Sequence, residues 1–158
     1  MTFRSADELY TVVLPDEVRH RMATVIAEDP ERETGGILIG SYSQDRRIAI
    51  VTQATQPPRD SIRERFHFIR GIFGLTGLLR RLWNSPQREH YIGEWHYHTS
   101  VRVEPSEEDI SQMRDIAIDP NYQCKEPIMI ICGSQKGIQA AVTRVFVFPC
   151  GDMQELMV

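Results

Sequence analysis

Two histidines and a later aspartate have the residue types and the spacing needed to hold a metal ion. His96 and His98 lie at the end of a β-rich run, and side chains at i and i+2 of a strand leave the same face. After seven further residues comes Ser106, and the pattern Ser-x-x-Asp109 predicts the capped start of a helix. Two imidazole nitrogens and one carboxylate oxygen leave a fourth zinc position open for water, which is typical of a catalytic site rather than a structural one.

Three helices that could position these residues are predicted from apolar residues recurring at helical spacing. The first begins after Pro15 and ends near residue 29, and its acidic first turn suits the helix dipole. The second covers residues 69–83 and has an unusually wide apolar face. We expect it to be a core helix, with partner docking as the alternative explanation of its width. The third begins at Ser106 and ends near residue 119.

Strands are predicted where short apolar, β-branched runs are bounded by turn residues. These runs cover residues 9–14, 37–39, 47–52, 66–68, 90–98, 127–132 and 138–148. The second and third runs are expected to form one hairpin, and the last two runs another. Because helices are interleaved with hairpins, the prediction is a single α+β domain over residues 1–158. Its core would lie at about 9–148, with a mixed sheet flanked by helices.

Length, charge and cysteine content narrow the class of protein. The chain has 158 residues, which is enough to bury a core in one domain. A net charge of −4 excludes a general nucleic-acid binder. Three cysteines without a CxxC pair fit neither a disulfide framework nor a cysteine zinc site, and they indicate a reducing compartment. No signal peptide or bilayer-length apolar run is visible, so we expect a cytoplasmic protein without a membrane partner.

The segment 59–90 carries a local excess of arginine. It contains Arg59, Arg63, Arg65, Arg70, Arg80, Arg81 and Arg88, against Asp60, Glu64 and Glu89. A solvated basic face is the ordinary explanation of such a charge run. Contact with an acidic protein partner is the alternative.

The ligand pattern resembles the motif of the JAMM (MPN+/JAB) metalloproteases, in which His-x-His, seven residues and Ser-x-x-Asp follow one another. An upstream glutamate before a Gly-x-Leu-x-Gly strand is similar to the family's companion motif, and here that glutamate is Glu33. Two distant motifs in the right order imply the family's cytidine-deaminase-like MPN/JAB fold over residues 9–148. Tyr97 and Thr99 stand where the family usually has Ser or Thr and Pro, so we expect a different edge to the substrate groove.

The resemblance implies a role for each residue of the site. The residues that would bind one Zn²⁺, with water in the fourth position, are His96, His98 and Asp109. Glu33 would be the general base and acid, and Ser106 would stabilise the tetrahedral oxyanion. A hydroxyl can accept the capping N–H and still have its own O–H free to donate.

Glu94 is an alternative candidate for the base. Strand parity places Ile92, Glu94, His96 and His98 on one face, so the Glu94 carboxylate competes with that of Glu33 for the role. Its side chain is close to the histidines and could instead orient an imidazole through a hydrogen bond. We favour Glu33 as the base.

The function implied by the resemblance is a zinc-dependent isopeptidase or peptidase. Its substrate would be the C-terminal tail of a ubiquitin-like or otherwise conjugated protein. Compact prokaryotic members accompany E1- and E2-like proteins, including in anti-phage CBASS operons, whereas others trim sulfur-carrier proteins. A non-catalytic MPN scaffold and a module with structural zinc are the alternatives from other classes. The complete set of expected ligands argues against both.

Overall fold

A computed structural model describes residues 1–100, 102–134 and 141–158 of the chain. Within these residues the helices are α1 (Asp16–Glu28), α2 (Leu75–Trp83) and α3 (Glu107–Ile118). The strands are β1 (Thr2–Ser5), β2 (Thr11–Val13), β3 (Thr34–Tyr42), β4 (Ile48–Ala54), β5 (Ile62–Arg63), β6 (Phe68–Ile69), β7 (His90–His98), β8 (Ile128–Ser134), β9 (Ala141–Val147) and β10 (Gln154–Met157).

The main sheet is mixed, and it confirms the α+β prediction. Its strand order is β1-β10-β9-β8-β7-β3-β4-β2, and the pairing of β1 with β2 closes the sheet on itself. The pairs β7–β8 and β2–β4 are parallel, and the other neighbours are antiparallel. The parallel β7–β8 pair needs a crossover connection, and α3 supplies it. The two predicted hairpins, β3–β4 and β8–β9, are both present, although the turn of the second lies outside the described residues.

Helices cover both faces of the sheet. On one face, α1 buries Val18, Met22 and Val25 in a cluster that also contains Trp95 and Tyr97 of β7. On the other face, α3 packs its apolar stripe against side chains of β3, β8 and β9. Alternate residues of β7 therefore point to different layers. Trp95 and Tyr97 lie on the α1 side of the sheet, so the alternate residues His96 and His98 lie on the α3 side.

One part of the parity prediction is wrong, because β7 contains a bulge. In the β3–β7 ladder Leu38 pairs with Gly93 and Ile39 pairs with Tyr91, so Ile92 is the additional residue. A bulge reverses the alternation of faces beyond it. As a result Ile92 packs in the same cluster as Trp95 and does not share the face of the histidines.

Gly93 permits this bulge beside the parallel strand β8. A Cβ at Gly93 would overlap the carbonyl oxygen of Ile128, and the backbone has a φ of +154°. We expect Gly93→Ala to lower the free energy of unfolding by roughly 1–3 kcal/mol, the usual cost of overpacking. Gly77→Ala is the matched control, because a Cβ there meets nothing within 4 Å and the residue lies inside α2. The control should stabilise the protein by about 0.5–1 kcal/mol in urea unfolding, and equal effects of the two changes would contradict this account.

The second helix is shorter and more exposed than predicted. Instead of covering residues 69–83, α2 starts at Leu75, because Ile69 pairs with Ile62 in the β5–β6 hairpin and Gly74 adopts a φ of +81°. No residue of α2 is fully buried, so the expectation of a core helix is wrong. Its leucines are half-buried against the α3-side cluster, whereas Trp83 is exposed.

The ends of the chain contribute strands that the sequence does not predict. Strand β10 pairs with both β9 and β1, and β1 also pairs with β2. Residues on both sides of 9–148 therefore belong to the same sheet. Among the described residues, the longest and most apolar helices fall short of what a membrane span requires.

Candidate active site

The pairing of β3 with β7 brings the upstream glutamate to the histidines. Thr34 pairs with Tyr97 and Gly35 pairs with His96, so Glu33, one residue before β3, is level with His98. Two stretches that are about sixty residues apart in the sequence thus meet at the end of one antiparallel ladder.

The ladder needs a glycine opposite His96. A Cβ at Gly35 would overlap the His96 ring, the Phe68 ring and the carbonyl oxygen of Trp95. The Phe68 ring itself contacts His96 edge to face, with 5.1 Å between the ring centroids. Gly35 therefore provides the space in which the His96 imidazole is held.

The capping box of α3 fixes the aspartate. The backbone N–H of Asp109 donates to the Ser106 hydroxyl oxygen at 3.1 Å, and the backbone N–H of Ser106 donates to Asp109 Oδ2 at 2.7 Å. These two reciprocal hydrogen bonds satisfy donors at the start of the helix and hold the Asp109 side chain in one orientation. The predicted capping box is present, and it presents the carboxylate to the end of β7.

The three predicted ligands come together as one buried group. One donor atom each from His96, His98 and Asp109 lie within 4.8 Å of one another. Asp109 Oδ1 is 2.7 Å from His96 Nδ1, and Asp109 Oδ2 is 3.3 Å from His98 Nε2. Nitrogen and carboxylate donors in this number fit Zn²⁺ with an open position.

Charge and burial shift the pKa values within this group. Burial of His96 disfavours its charged form, but the nearby carboxylates of Asp109 and Glu94 outweigh this and raise its pKa to about 9. Burial also disfavours the charged form of Asp109 and so raises its pKa, yet hydrogen bonds with His96 and His98 outweigh this and bring the pKa well below the usual range. Without a metal, the site therefore holds a charged imidazole between two carboxylates.

A pH dependence of the metal-free protein follows from the raised pKa of His96. A histidine whose folded pKa lies above its unfolded value of 6.5 stabilises the fold fully below pH 6.5. That contribution is lost as the pH rises through about 9. We expect the urea midpoint of the zinc-free protein to fall between pH 6.5 and 9.5, and His96→Gln to flatten the fall. A midpoint that rises over this range in the wild type would contradict the assignment.

The hydroxyl of Ser106 is not free, in contrast to the expectation from the sequence. It donates to Asp109 Oδ2 at 2.7 Å while its oxygen accepts the capping N–H. The Asp109 carboxylate is the strongest acceptor within reach, so it accepts the hydrogen bond of the Ser106 hydroxyl, for which the sequence predicts no acceptor in the protein. An oxyanion would have to replace Asp109 as the acceptor of this hydrogen bond.

A cleft of about 570 Å³ opens over the buried group. Glu33, His96, His98, Ser106 and Asp109 all line it. Burial raises the pKa of the Glu33 carboxyl, the charge of His98 opposes this and that of Asp109 adds to it, and the net shift is upward. A half-buried carboxyl with a raised pKa is suited to accepting and returning a proton near neutral pH.

The other candidate base, Glu94, lies behind His96 and is fully buried. Its carboxylate accepts hydrogen bonds from Arg70, Tyr91 and Gln112. The sequence pattern does not predict these three partners. The signal was Glu94 itself, because a carboxylate on a buried strand face requires a cation or several donors nearby.

The β5–β6 hairpin borders the cleft, and it comes from the arginine-rich segment. The Thr99 hydroxyl donates to the carbonyl oxygen of Arg65, and the Glu33 backbone N–H donates to the carbonyl oxygen of Glu64. Across the cleft, His67 Nδ1 lies 3.8 Å from the exposed Glu108 carboxylate. Thr99, which replaces the usual proline, thus ties the cleft edge to the hairpin.

Comparison with known proteins identifies the family of the chain. The family model described as prokaryotic homologues of the JAB domain matches residues 15–146. A protein of Enterobacter hormaechei named CD-NTase/cGAS isopeptidase is 43% identical over 133 residues, which are 84% of this chain and 73% of that protein. A protein of the same name from Pseudomonas aeruginosa is 33% identical over 89 residues, 56% of this chain and 55% of the relative.

The fold comparison agrees as well. The solution structure of a Desulfitobacterium hafniense protein superposes with a TM-score of 0.65 at 17% identity, covering 91% of this chain and 88% of the other. At this level of identity the likeness supports the fold alone. The family match, which spans most of the chain, has the ligand strand, the capped helix and the upstream glutamate within it. The chain belongs to the family of prokaryotic JAB-domain homologues.

Proposed function

We propose that this protein is a zinc-dependent isopeptidase that releases the C-terminal tail of a conjugated protein from its acceptor amine. The observation that most directly supports this function is the buried His96, His98 and Asp109 group in a cleft that Glu33 also lines. Three protein ligands leave one of the four positions of tetrahedral zinc open, and a reacting water can bind there.

The names of the two relatives narrow the proposed substrate. Both are called CD-NTase/cGAS isopeptidases, so we propose that the conjugate contains a CD-NTase-type enzyme. A ubiquitin-like linkage of this kind would be made by E1- and E2-like proteins in an anti-phage CBASS operon. The isopeptidase would then act as the deconjugating enzyme of that system.

Each residue of the cleft has a step in the proposed reaction. Zinc, when bound by His96, His98 and Asp109, would lower the pKa of water from 15.7 towards about 7. Glu33 takes a proton from the attacking water and returns it to the leaving amine, a function worth typically ~10²–10⁴-fold in rate. The Ser106 hydroxyl donates a hydrogen bond to the oxyanion formed from the substrate carbonyl, in place of its hydrogen bond to Asp109 Oδ2.

The test uses the wild-type protein and two substrates that share one ubiquitin-like tail. In the first the tail is joined to a lysine ε-amine, and in the second it continues as a linear peptide. We expect zinc at one ion per chain, cleavage of the isopeptide, loss of cleavage after chelation and recovery when zinc is added back. Undiminished cleavage by zinc-free protein would overturn the metal role. Cleavage of the linear tail alone would instead favour processing of a sulfur-carrier protein.

A further inference from the structure

Glu94 is a buried carboxylate directly behind a proposed metal ligand. Its side chain is 0% exposed, and its Oε2 lies 3.6 Å from His96 Nε2. The other nitrogen of the same ring, Nδ1, faces Asp109 Oδ1 at 2.7 Å. The His96 imidazole is therefore held between two carboxylates, one inside the proposed ligand group and one outside it.

Arg70 holds the Glu94 carboxylate in place. Its Nε donates to both Glu94 oxygens at 3.0 Å, and its Nη2 lies 2.9 Å from Oε1. The Arg70 side chain is only 8% exposed, so both charges of this pair are removed from water. Hydrogen bonds of 3.3 Å from Tyr91 and Gln112 to Oε1 complete the set and leave Oε2 towards His96. A fork of this kind fixes both the position and the orientation of a carboxylate.

The loop after the β5–β6 hairpin in turn anchors Arg70. Arg70 Nη1 donates to the carbonyl oxygen of Gly71, and the N–H of Gly71 donates to the Ser61 hydroxyl. The Asp60 carboxylate accepts the backbone N–H groups of residues 72 and 73 at 3.0 Å. A turn with its own hydrogen bonds therefore places Arg70 against Glu94, which lies 24 residues later in the sequence.

We propose that Arg70 is a positioning residue for the metal site: by fixing Glu94, it orients the His96 ring with Nε2 towards Glu94 and Nδ1 towards Asp109. A carboxylate beside one ring nitrogen favours the proton on that nitrogen and leaves the lone pair of the other nitrogen for a metal. The inference rests on the proposed zinc site and adds to it a residue from the arginine-rich segment. Loss of such an outer partner typically lowers metal affinity about 10–100-fold.

The experiment measures zinc affinity rather than activity. Metal-free protein is titrated with zinc at fixed neutral pH in competition with a chromophoric chelator. Arg70→Met should lower the affinity about 10–100-fold, and Arg70→Lys, which keeps the charge but loses the fork, should lower it less. Arg65→Met is the matched control, because Arg65 is on the same hairpin and its guanidinium lies over the Phe66 ring. The control should bind zinc as the wild type does.

A second variant covers the case in which Arg70→Met does not fold because Glu94 is left buried without its cation. Replacing the pair by apolar side chains of similar size, Arg70→Met with Glu94→Leu, is commonly tolerated by a fold. This double variant should unfold cooperatively without metal and bind zinc at least 10-fold more weakly than the wild type.

The outcomes separate this inference from the proposed function. If the wild type takes up no zinc, the proposed metal site itself fails. If the wild type binds zinc and the folded Arg70 variants bind it with equal affinity, only the positioning role is overturned.

Discussion

Replacing Glu33 by glutamine should leave zinc binding at wild-type strength and slow isopeptide cleavage by about 10²–10⁴-fold, the usual contribution of a general base. Glutamine keeps the size of the side chain and one acceptor oxygen but cannot take a proton from water. Zinc binding should survive because Glu33 lines the cleft without belonging to the His96, His98 and Asp109 group. The measurement is the single-turnover rate at saturating zinc, together with the zinc content of the purified variant.

Glu31→Gln is the matched control for this change. Glu31 is exposed and lies two residues before Glu33, so the same exchange of carboxylate for amide should keep the wild-type rate. A wild-type rate in Glu33→Gln at full zinc occupancy would remove Glu33 from the base role. Glu94, the alternative from the sequence, would then have to be tested at saturating zinc.

The ligand group could be predicted because each half of it depends on neighbouring residues in the chain. The pairing of His96 with His98 needs only local strand alternation, and the placement of Asp109 needs only the capping box that begins at Ser106. Both features are set within three or four residues. The proximity of Glu33 is different in kind, because it depends on the β3–β7 register and is predicted only through the family resemblance.

The errors arise where contacts between distant residues decide the backbone. The bulge that turns Ile92 away from the histidines depends on Gly93 lying against the carbonyl oxygen of Ile128 on the next strand. The late start of α2 depends on the Asp60 carboxylate, which binds the N–H groups of residues 72 and 73 before the helix begins. The spacing of apolar residues over 69–83 gives no information about the Asp60 contact, so the helix predicted from it is too long.

The arginine-rich segment shows a similar limit of the charge pattern. Counted along the sequence, its arginines form one basic face, yet Arg70 turns inward to Glu94 and Arg63 donates to the Glu33 carbonyl oxygen. Others, such as Arg59 and Arg65, lie over exposed aromatic rings. Composition indicates an unusual segment, but only the fold shows which of its arginines lie beside the candidate site.

Replacing Asp109 by asparagine should abolish zinc binding and, with it, cleavage. The amide retains an oxygen that can accept the Ser106 backbone N–H, but it lacks the negative charge that a zinc ligand at this position supplies. Zinc at about 1,000 times its Kd stabilises a protein that binds it by about 4 kcal/mol. For a chain of this size, that corresponds to a rise in Tm of roughly 8–16 °C. The wild type should show this rise in a thermal melt, and Asp109→Asn should show none.

Ser106→Ala separates the metal role of Asp109 from the stability of the helix start. It removes the hydroxyl that accepts the Asp109 N–H, so it should cost about 0.5–2 kcal/mol with and without zinc. Because the carboxylate remains, this variant should keep the full zinc-induced rise in Tm. Its cleavage rate should fall about 10²–10³-fold if the hydroxyl donates to the oxyanion. A zinc-induced rise in Tm that persists in Asp109→Asn would show that the carboxylate is not needed for metal binding. A rise that disappears in Ser106→Ala would show that metal binding requires the capping box.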